Sequence, residues 1–223
     1  MSYNALIFGG IGSLVETSHI QLACFNEAFA NLGIDFVWTE GAYAESLNDS
    51  GGRKRLAELS VDDGRTLTDD EIANVHAEKT RLFQEHIVRD GLTLRDGVPE
   101  LLHAATARGA KLAWATTTSR ENIMAIFKAV NDLAPDMFVF IGDDSRAENS
   151  KPATDIYDAA LAAMNLSADE AVAIEDNPKG LAAAKAAGLY TIAFPGAMHV
   201  HHDFSAADKR LASLADAAMM IAE

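Results

Sequence analysis

The stretch AVAIEDNPKGLAAAKAAGL, residues 171–189, decides the fold of this chain of 223 residues. Four apolar residues lead into Glu175 and Asp176, and a segment rich in Ala, Leu and Lys then continues to Gly188. A continuous apolar run of this length is typical of a strand buried on both faces of a parallel sheet. The later segment favours a helix, and Gly188 is well placed to end it. The stretch therefore predicts a strand, an acidic loop and a helix.

The same pattern recurs along the chain. A helix is expected over residues 156–164, and four further apolar runs predict strands: Ala5–Phe8, Lys111–Ala115, Met137–Ile141 and Tyr190–Phe194. Strands that alternate with helices indicate an α/β fold. The predicted architecture is a doubly wound parallel sheet of the Rossmann type.

A helical insertion interrupts this alternation after the first strand. The residues from about 17 to 89 contain no convincing strand pattern, and one helix is expected from the capping-box pair Thr68 and Glu71 to about Ile87. We therefore expect an α/β core domain over residues 1–17 and 90–223, with a helical second domain over residues 18–89.

Polar residues follow several of the predicted strands. Ligands of doubly wound sheets bind outside the carboxyl ends of the strands, so Ser13, Thr116, Lys151, Glu175 and Asp176 are expected to converge there. Hydroxyl and ammonium groups bind phosphate oxygens, and carboxylates hold Mg²⁺. The set predicts a site for a phosphoryl group and a divalent cation.

Each of these residues also has a structural interpretation. Residues 116–118 could cap a helix that begins near Glu121, Lys151 could be a solvated loop lysine, and Glu175 with Asp176 could form an ordinary turn. Their joint occurrence after successive strands favours the site.

Taken together, these motifs resemble the haloacid dehalogenase (HAD)-like superfamily, in the helical-cap branch of β-phosphoglucomutase and xylulose-bisphosphate phosphatase. The resemblance implies that Thr116, with Thr117, holds the phosphoryl oxygens, that Lys151 neutralises charge, and that Glu175 and Asp176 bind Mg²⁺. The matching stretches are ALIFGGIGSLVET, FNEAFANLGI, GGRKR, LRDGVPELL, LAWATTTSREN, KPATDIYDAAL and AIEDNPKGLAAAKAAGL.

The first motif of that family is degenerate in this chain. The family pattern is Asp-x-Asp-Gly-Thr-Leu, with a nucleophile and metal ligand first and a general acid/base second, whereas residues 9–14 read Gly-Gly-Ile-Gly-Ser-Leu. Gly9 cannot form an aspartyl-phosphate and Ile11 cannot transfer a proton. We therefore expect weak or absent phosphatase activity, and weakened Mg²⁺ binding because a carboxylate ligand is lost.

Replacement groups lie near the degenerate motif. Glu16 is the foremost candidate for a non-standard nucleophile or base, and a carboxylate of the helical domain, such as Glu45 or Asp49, is another. The glycine-rich turn of residues 9–13, including Ser13, can still cradle an anion through its N–H groups.

The helical domain carries the densest basic cluster of the chain, in residues 51–55. Arg53 and Lys54 suit a second phosphate clamp on the substrate, and the alternative is a solvated helix start. A dinucleotide site with Asp35 lacks the third glycine and a second strand. A transition-metal site built from His199, His201, His202 and Asp203 matches no common spacing.

Composition limits the partners. Lys and Arg number 18 against 33 Asp and Glu, and the resulting net charge of −15 argues against binding to nucleic acid or anionic membranes. We expect neither a signal peptide nor a membrane-spanning segment. Its one cysteine, Cys24, lies in an apolar run with no basic neighbour in sequence, so a buried core residue and a reducing, cytoplasmic location are expected.

Three functions therefore stand. The preferred one is a HAD-like protein with a pocket for a small phosphorylated metabolite, in particular a sugar phosphate, that is weak or inactive as a phosphatase. The second is an active hydrolase with a replacement group such as Glu16. The third is a non-catalytic regulatory or interaction protein.

Overall fold

The chain divides into two compact units. The computed structural model describes residues 3–47, 51–61 and 64–222, with side chains up to residue 218, so Asp49 lies outside the described residues. Residues 1–16 and 92–223 form one unit, here the sheet unit, and residues 17–91 form the other, here the helical unit. None of the described helices is long and apolar enough to cross a membrane.

The elements alternate as expected for an α/β fold. In chain order they are β1 (Ala5–Phe8), α1 (Ser18–Asn31), α2 (Glu40–Ser46), α3 (Gly52–Ala57), α4 (Asp69–Asp90), α5 (Val98–Ala107), β2 (Lys111–Trp114), α6 (Arg120–Ala129), β3 (Phe140–Ile141), α7 (Asp155–Met164), β4 (Ala171–Glu175), α8 (Pro178–Ala186), β5 (Tyr190–Ala193), β6 (Lys209–Arg210) and α9 (Ala215–Ala222).

The sheet is six-stranded and parallel, in the order β3-β2-β1-β4-β5-β6. This confirms the predicted doubly wound fold. Phe8 of β1 pairs with Trp114 of β2 on one side and with Ile174 of β4 on the other. All residues of β1 and β4 are buried, because helices cover both faces. The register brings the loops after β1, β2 and β4 to the same edge of the sheet.

Two strands differ from the prediction. The third apolar run yields only the two-residue β3, since Pro135 opens a 3₁₀ turn and Val139 is exposed rather than buried. The edge strand β6 is two charged residues long, so it carries no apolar pattern by which to recognise it.

Helix ends follow local chemistry. Helix α4 begins with the predicted capping box, in which Thr68 accepts from the N–H of Glu71, and α8 is followed by Gly188 in the left-handed conformation. Helix α6 is capped by Ser119, whose side chain accepts from the N–H of Asn122. The suggestion that residues 116–118 cap this helix is therefore wrong.

The helical unit packs α1 against α4 around aromatic rings, and its described residues contain no strand. Cys24 is buried there, as predicted. Although Cys24 has no basic neighbour in sequence, His86, 62 residues away, places Nδ1 3.6 Å from the sulfur. Burial first, and the charge of Glu27 second, raise the pKa of the thiol to about 11, so the cysteine is inert.

Candidate functional site

The turn after β1 is a single 3₁₀ turn, residues 11–13, held by hydrogen bonds to its carbonyl groups. The buried Ser13 donates its hydroxyl to the carbonyl oxygen of Gly10 (2.6 Å), and Trp114 Nε1 donates to the same oxygen (3.2 Å). Arg95 donates to the carbonyl of Gly12 and also to that of Pro195 (2.7 Å). The first N–H groups of such a turn have no partner within it, so they remain able to bind an anion.

Lys151 lies directly against this turn. Its ammonium group donates to the carbonyl oxygen of Gly9 (3.0 Å) and to Glu175 Oε1 (2.6 Å), and it lies 3.4 Å from the hydroxyl of Tyr157. Tyr157 also donates a short hydrogen bond to Glu175 Oε1. Lys151 and Glu175 therefore form a buried, hydrogen-bonded ion pair beside the degenerate first motif.

The carboxylate of Glu175 fills a slot between two glycines. A Cβ atom at Gly9 would overlap Glu175 Oε1 and the hydroxyl of Tyr157, and one at Gly180 would overlap the same carboxylate from the other side. Glycine at position 9 therefore makes room for Glu175 in the space where a longer side chain would begin.

Asp176 is the second buried carboxylate of the site. Its Oδ1 accepts from Asn177 Nδ2 (3.3 Å), and a Cβ at Gly12 would overlap its Oδ2, so it lies against the turn after β1. Burial raises the pKa of both Glu175 and Asp176, and the positive charge of Lys151 opposes that rise in both. Arg95 also lowers the pKa of Asp176.

The threonines after β2 complete the edge of the sheet. Thr116 is buried, and its Oγ1 accepts from the N–H of Thr118 (3.2 Å), which leaves its own O–H to donate. Thr117 is half-buried beside it. The parallel register of β1, β2 and β4 brings the ends of these strands together, and with them Thr116, Lys151, Glu175 and Asp176.

Ser13 and Glu16 already have partners within the protein. The hydroxyl of Ser13 holds the turn, while Glu16 Oε2 accepts from the N–H of Ala197 (2.6 Å). Glu16 also lines an open cavity of about 550 Å³, together with Arg95 and Arg210. The structure therefore gives Glu16 a role in holding the loop after β5.

The metal-binding capacity of these residues is limited. Mg²⁺ prefers near-octahedral oxygen coordination, and Glu175 Oε1 is already taken by Lys151 and Tyr157. Glu175 Oε2 is buried and has no hydrogen-bond partner among the described residues. The described part of the chain holds no group of three or more acidic, His or Cys side chains suited to a metal, and this includes His199, His201, His202 and Asp203.

The basic residues of the helical unit differ in how far they are buried. Arg53 and Lys54 are exposed, and Lys54 pairs with Glu58 (3.8 Å). Three groups outside the predicted pair lie further in: Arg55 over the ring of Tyr43, Lys79 over that of Phe25, and His76 against Gly52. Burial first, and the charges of Lys79, Arg53 and Arg55 after it, lower the pKa of His76 to about 4.

Several residues of the site are not identified by the sequence motifs. Trp114 and Tyr157 sit within apolar patterns, where an aromatic residue ordinarily indicates core packing. Arg95 lies 83 residues from the glycine whose carbonyl it binds. For Tyr157, the only signal in the sequence is its place on the first turn of the helix after Lys151.

Comparison with known proteins gives relatives along the whole chain. CbbY of Rhodobacter capsulatus is 38% identical over 219 residues, covering 98% of this chain and 96% of the relative. CbbY of Cupriavidus necator is 37% identical, covering 96% of this chain and 87% of the relative. The crystal structure of CbbY from Rhodobacter sphaeroides in complex with phosphate superposes with a TM-score of 0.87 at 36% identity, covering 96% of each chain.

More distant structures share the fold. β-Phosphoglucomutase from Clostridium difficile superposes with a TM-score of 0.75 at 18% identity, covering 96% of this chain and 92% of that one. The family model of haloacid dehalogenase-like hydrolases matches residues 11–188. The predicted resemblance is thus confirmed, and the chain belongs to the haloacid dehalogenase-like hydrolase family.

Proposed function

We propose that the chain binds a small phosphorylated sugar at the carboxyl edge of its sheet, in the cytoplasm, without hydrolysing it through an aspartyl-phosphate. One observation supports the proposal: Lys151, Glu175 and Asp176 lie around the turn that carries Gly9 and Ile11, the two residues that the resemblance sets at the nucleophile and acid/base positions. On this proposal the chain keeps the binding scaffold of the family and lacks its reacting groups.

The ligand class is supported by the relatives. CbbY from Rhodobacter sphaeroides has been crystallised with phosphate and, as a variant 35% identical to this chain, with xylulose-1,5-bisphosphate. The N–H groups of the turn after β1 and the hydroxyl of Thr116 are donors suited to phosphate oxygens. Because Lys151 already donates to protein oxygens, it would act on the phosphate chiefly through its charge.

The rate acceleration that hydrolysis requires argues against catalysis by this site. An enzyme without its nucleophile can retain about 10³–10⁴-fold acceleration over water. Hydrolysis of a phosphate monoester can require up to about 10²¹-fold. The groups left in this site therefore fall short of useful turnover by many orders of magnitude.

The alternative of an active hydrolase depends on Glu16. Its carboxylate accepts a 2.6 Å hydrogen bond from Ala197, which stabilises the charge and lowers its nucleophilicity. The third function, a non-catalytic regulatory or interaction protein, gives no reason to keep Thr116, Lys151 and Asp176 together. Neither alternative accounts as directly for a maintained pocket with glycine and isoleucine at its reacting positions.

The test is ligand-induced thermal stabilisation by xylulose 1,5-bisphosphate and by inorganic phosphate. Wild-type protein should be stabilised, a Thr116→Val variant should lose most of that stabilisation, and Thr106→Val, an exposed threonine of α5, should keep it. Absence of stabilisation in the wild-type protein, or equal stabilisation of both variants, would contradict a phosphate site at Thr116.

A further inference from the structure

The two buried carboxylates of the strand-end site face cations of the chain itself. Glu175 pairs with Lys151, and both Lys151 and Arg95 act on Asp176, while Arg95 also faces the half-buried Glu16. The family motif would add two aspartates at positions 9 and 11. Their absence removes two potential negative charges, which equals the charge that one divalent cation contributes.

The geometry of Glu175 points the same way. Its Oε1, the oxygen that faces Gly9, accepts from both Lys151 and Tyr157. A Cβ at Gly180 would overlap both oxygens of Glu175, and Oε2 is buried without a hydrogen-bond partner among the described residues. The oxygen nearest the former nucleophile position is therefore occupied by an ammonium group of the chain itself.

We propose that Lys151, fixed by Glu175 and Tyr157, takes the place of the divalent cation, so that this chain binds a phosphoryl group without metal. The proposal rests on the phosphate-binding function proposed above and adds how the charge of the site is supplied. A magnesium ion would have to displace Lys151 from a 2.6 Å contact and would then meet only two carboxylates. The ammonium group of Lys151 already lies at Glu175, so its charge acts there without displacing another group.

The first test compares magnesium with a chelator. Purified protein is heated with inorganic phosphate in EDTA and in millimolar Mg²⁺, and in parallel with Mg²⁺ alone. Equal stabilisation by phosphate in both buffers, with no shift by Mg²⁺ alone, supports the proposal. Stabilisation by phosphate that requires Mg²⁺ overturns it while leaving the phosphate-binding function intact.

Failure of the two proposals can be told apart. If phosphate stabilises the protein in neither buffer, the proposed function fails, and calorimetric titration with Mg²⁺ alone still decides the metal. Saturable Mg²⁺ binding at submillimolar concentration would overturn the replacement of the metal by Lys151. The absence of such binding would support it.

A variant sharpens the result. Lys151→Met removes the internal cation and leaves two buried carboxylates together, so Mg²⁺ should bind it about tenfold or more tightly than it binds the wild type. Lys128→Met, at an exposed position of α6, should behave as wild type. Equal Mg²⁺ affinity in all three proteins would contradict the proposal, and the wild-type titration serves if Lys151→Met does not fold.

Discussion

The loop after β1 and the end of β4 lie side by side at one edge of the sheet, and they differ in the acidic residues that they carry. The loop after β1 has Gly9 and Ile11, where the resemblance to the family would place two aspartates, whereas β4 ends in Glu175 and the chain continues with Asp176. Both regions remain tightly organised: Ser13, Trp114 and Arg95 hold the loop, and Lys151 pairs with Glu175.

This difference shows that the conformation of the site does not depend on carboxylates in the loop after β1. The loop after β1 keeps its turn because hydrogen bonds to backbone carbonyls set it, and those need no aspartate. Glu175 keeps its place because Lys151 and Tyr157 compensate its burial. The site is therefore structured without carboxylates at positions 9 and 11.

The largest expected effect comes from removing the internal cation. Lys151→Met should lower the free energy of unfolding by about 3–5 kcal/mol, because it leaves the buried carboxylate of Glu175 uncompensated. Urea denaturation measures this, with the exposed Lys128→Met as the control, expected within about 0.5 kcal/mol of wild type. A loss as small as the control's would mean that Lys151 does not stabilise the end of β4.

The tyrosine hydroxyl comes next. Tyr157→Phe removes a hydrogen bond to the charged Glu175 and should cost about 1.5–3 kcal/mol. Tyr190→Phe, on a half-buried ring that packs on Tyr3, should cost within about 0.5 kcal/mol. Denaturation of both variants under the same conditions checks this, and equal losses would remove Tyr157 from the network.

A pair of glycine substitutions tests the filled slot at position 9. Gly9→Ala should destabilise by about 1–3 kcal/mol, because the new Cβ would overlap Glu175 and Tyr157. Gly41→Ala lies in helix α2 with nothing within 4 Å of the added atom, and it should stabilise by about 0.5–1 kcal/mol. Unfolding curves that move in the same direction for both would contradict a filled slot.

The smallest effect concerns the helical unit. There, neighbouring basic groups disfavour protonation of His76, whereas Lys151 of the sheet unit pairs with a carboxylate. The pKa of His76 is lowered to about 4, first by burial and then by Lys79, Arg53 and Arg55, so the folded state favours the neutral ring. The stability that this contributes is present above about pH 6.5 and is lost as the pH falls toward 4.

His76→Gln should therefore flatten the pH dependence of unfolding between about pH 6.5 and 4. His103→Gln, at an exposed position of α5, serves as the matched control. Denaturation series at successive pH values compare the two, and an unchanged slope in His76→Gln would show that another group carries the effect.

The sequence predicts the sheet and the set of strand-end residues well, because buried parallel strands leave continuous apolar runs and function collects where they end. It predicts the partnerships poorly. Tyr157 and Trp114 look like core residues until the fold brings their polar atoms to Glu175 and Gly10. Ser119 rather than Thr116 caps α6, since several hydroxyl residues in a row leave the capping position open.

The same limit applies to the basic cluster. Arg53 and Lys54 stand out by composition, yet the more buried groups are Arg55, His76 and Lys79. His76 and Lys79 lie on α4, and only the packing of α3 against α4 brings them near Arg55. Distances of this kind depend on helix packing, which local sequence patterns do not encode.

We propose that the ligand pocket persists while its phosphatase chemistry is lost. The most direct test is phosphate release from xylulose 1,5-bisphosphate and a panel of sugar phosphates at high protein concentration with Mg²⁺. The Asp176→Ala variant serves as the background. We expect no release above that of Asp176→Ala, whereas release that disappears in Asp176→Ala would contradict the proposed function and direct the search for a nucleophile to Glu16.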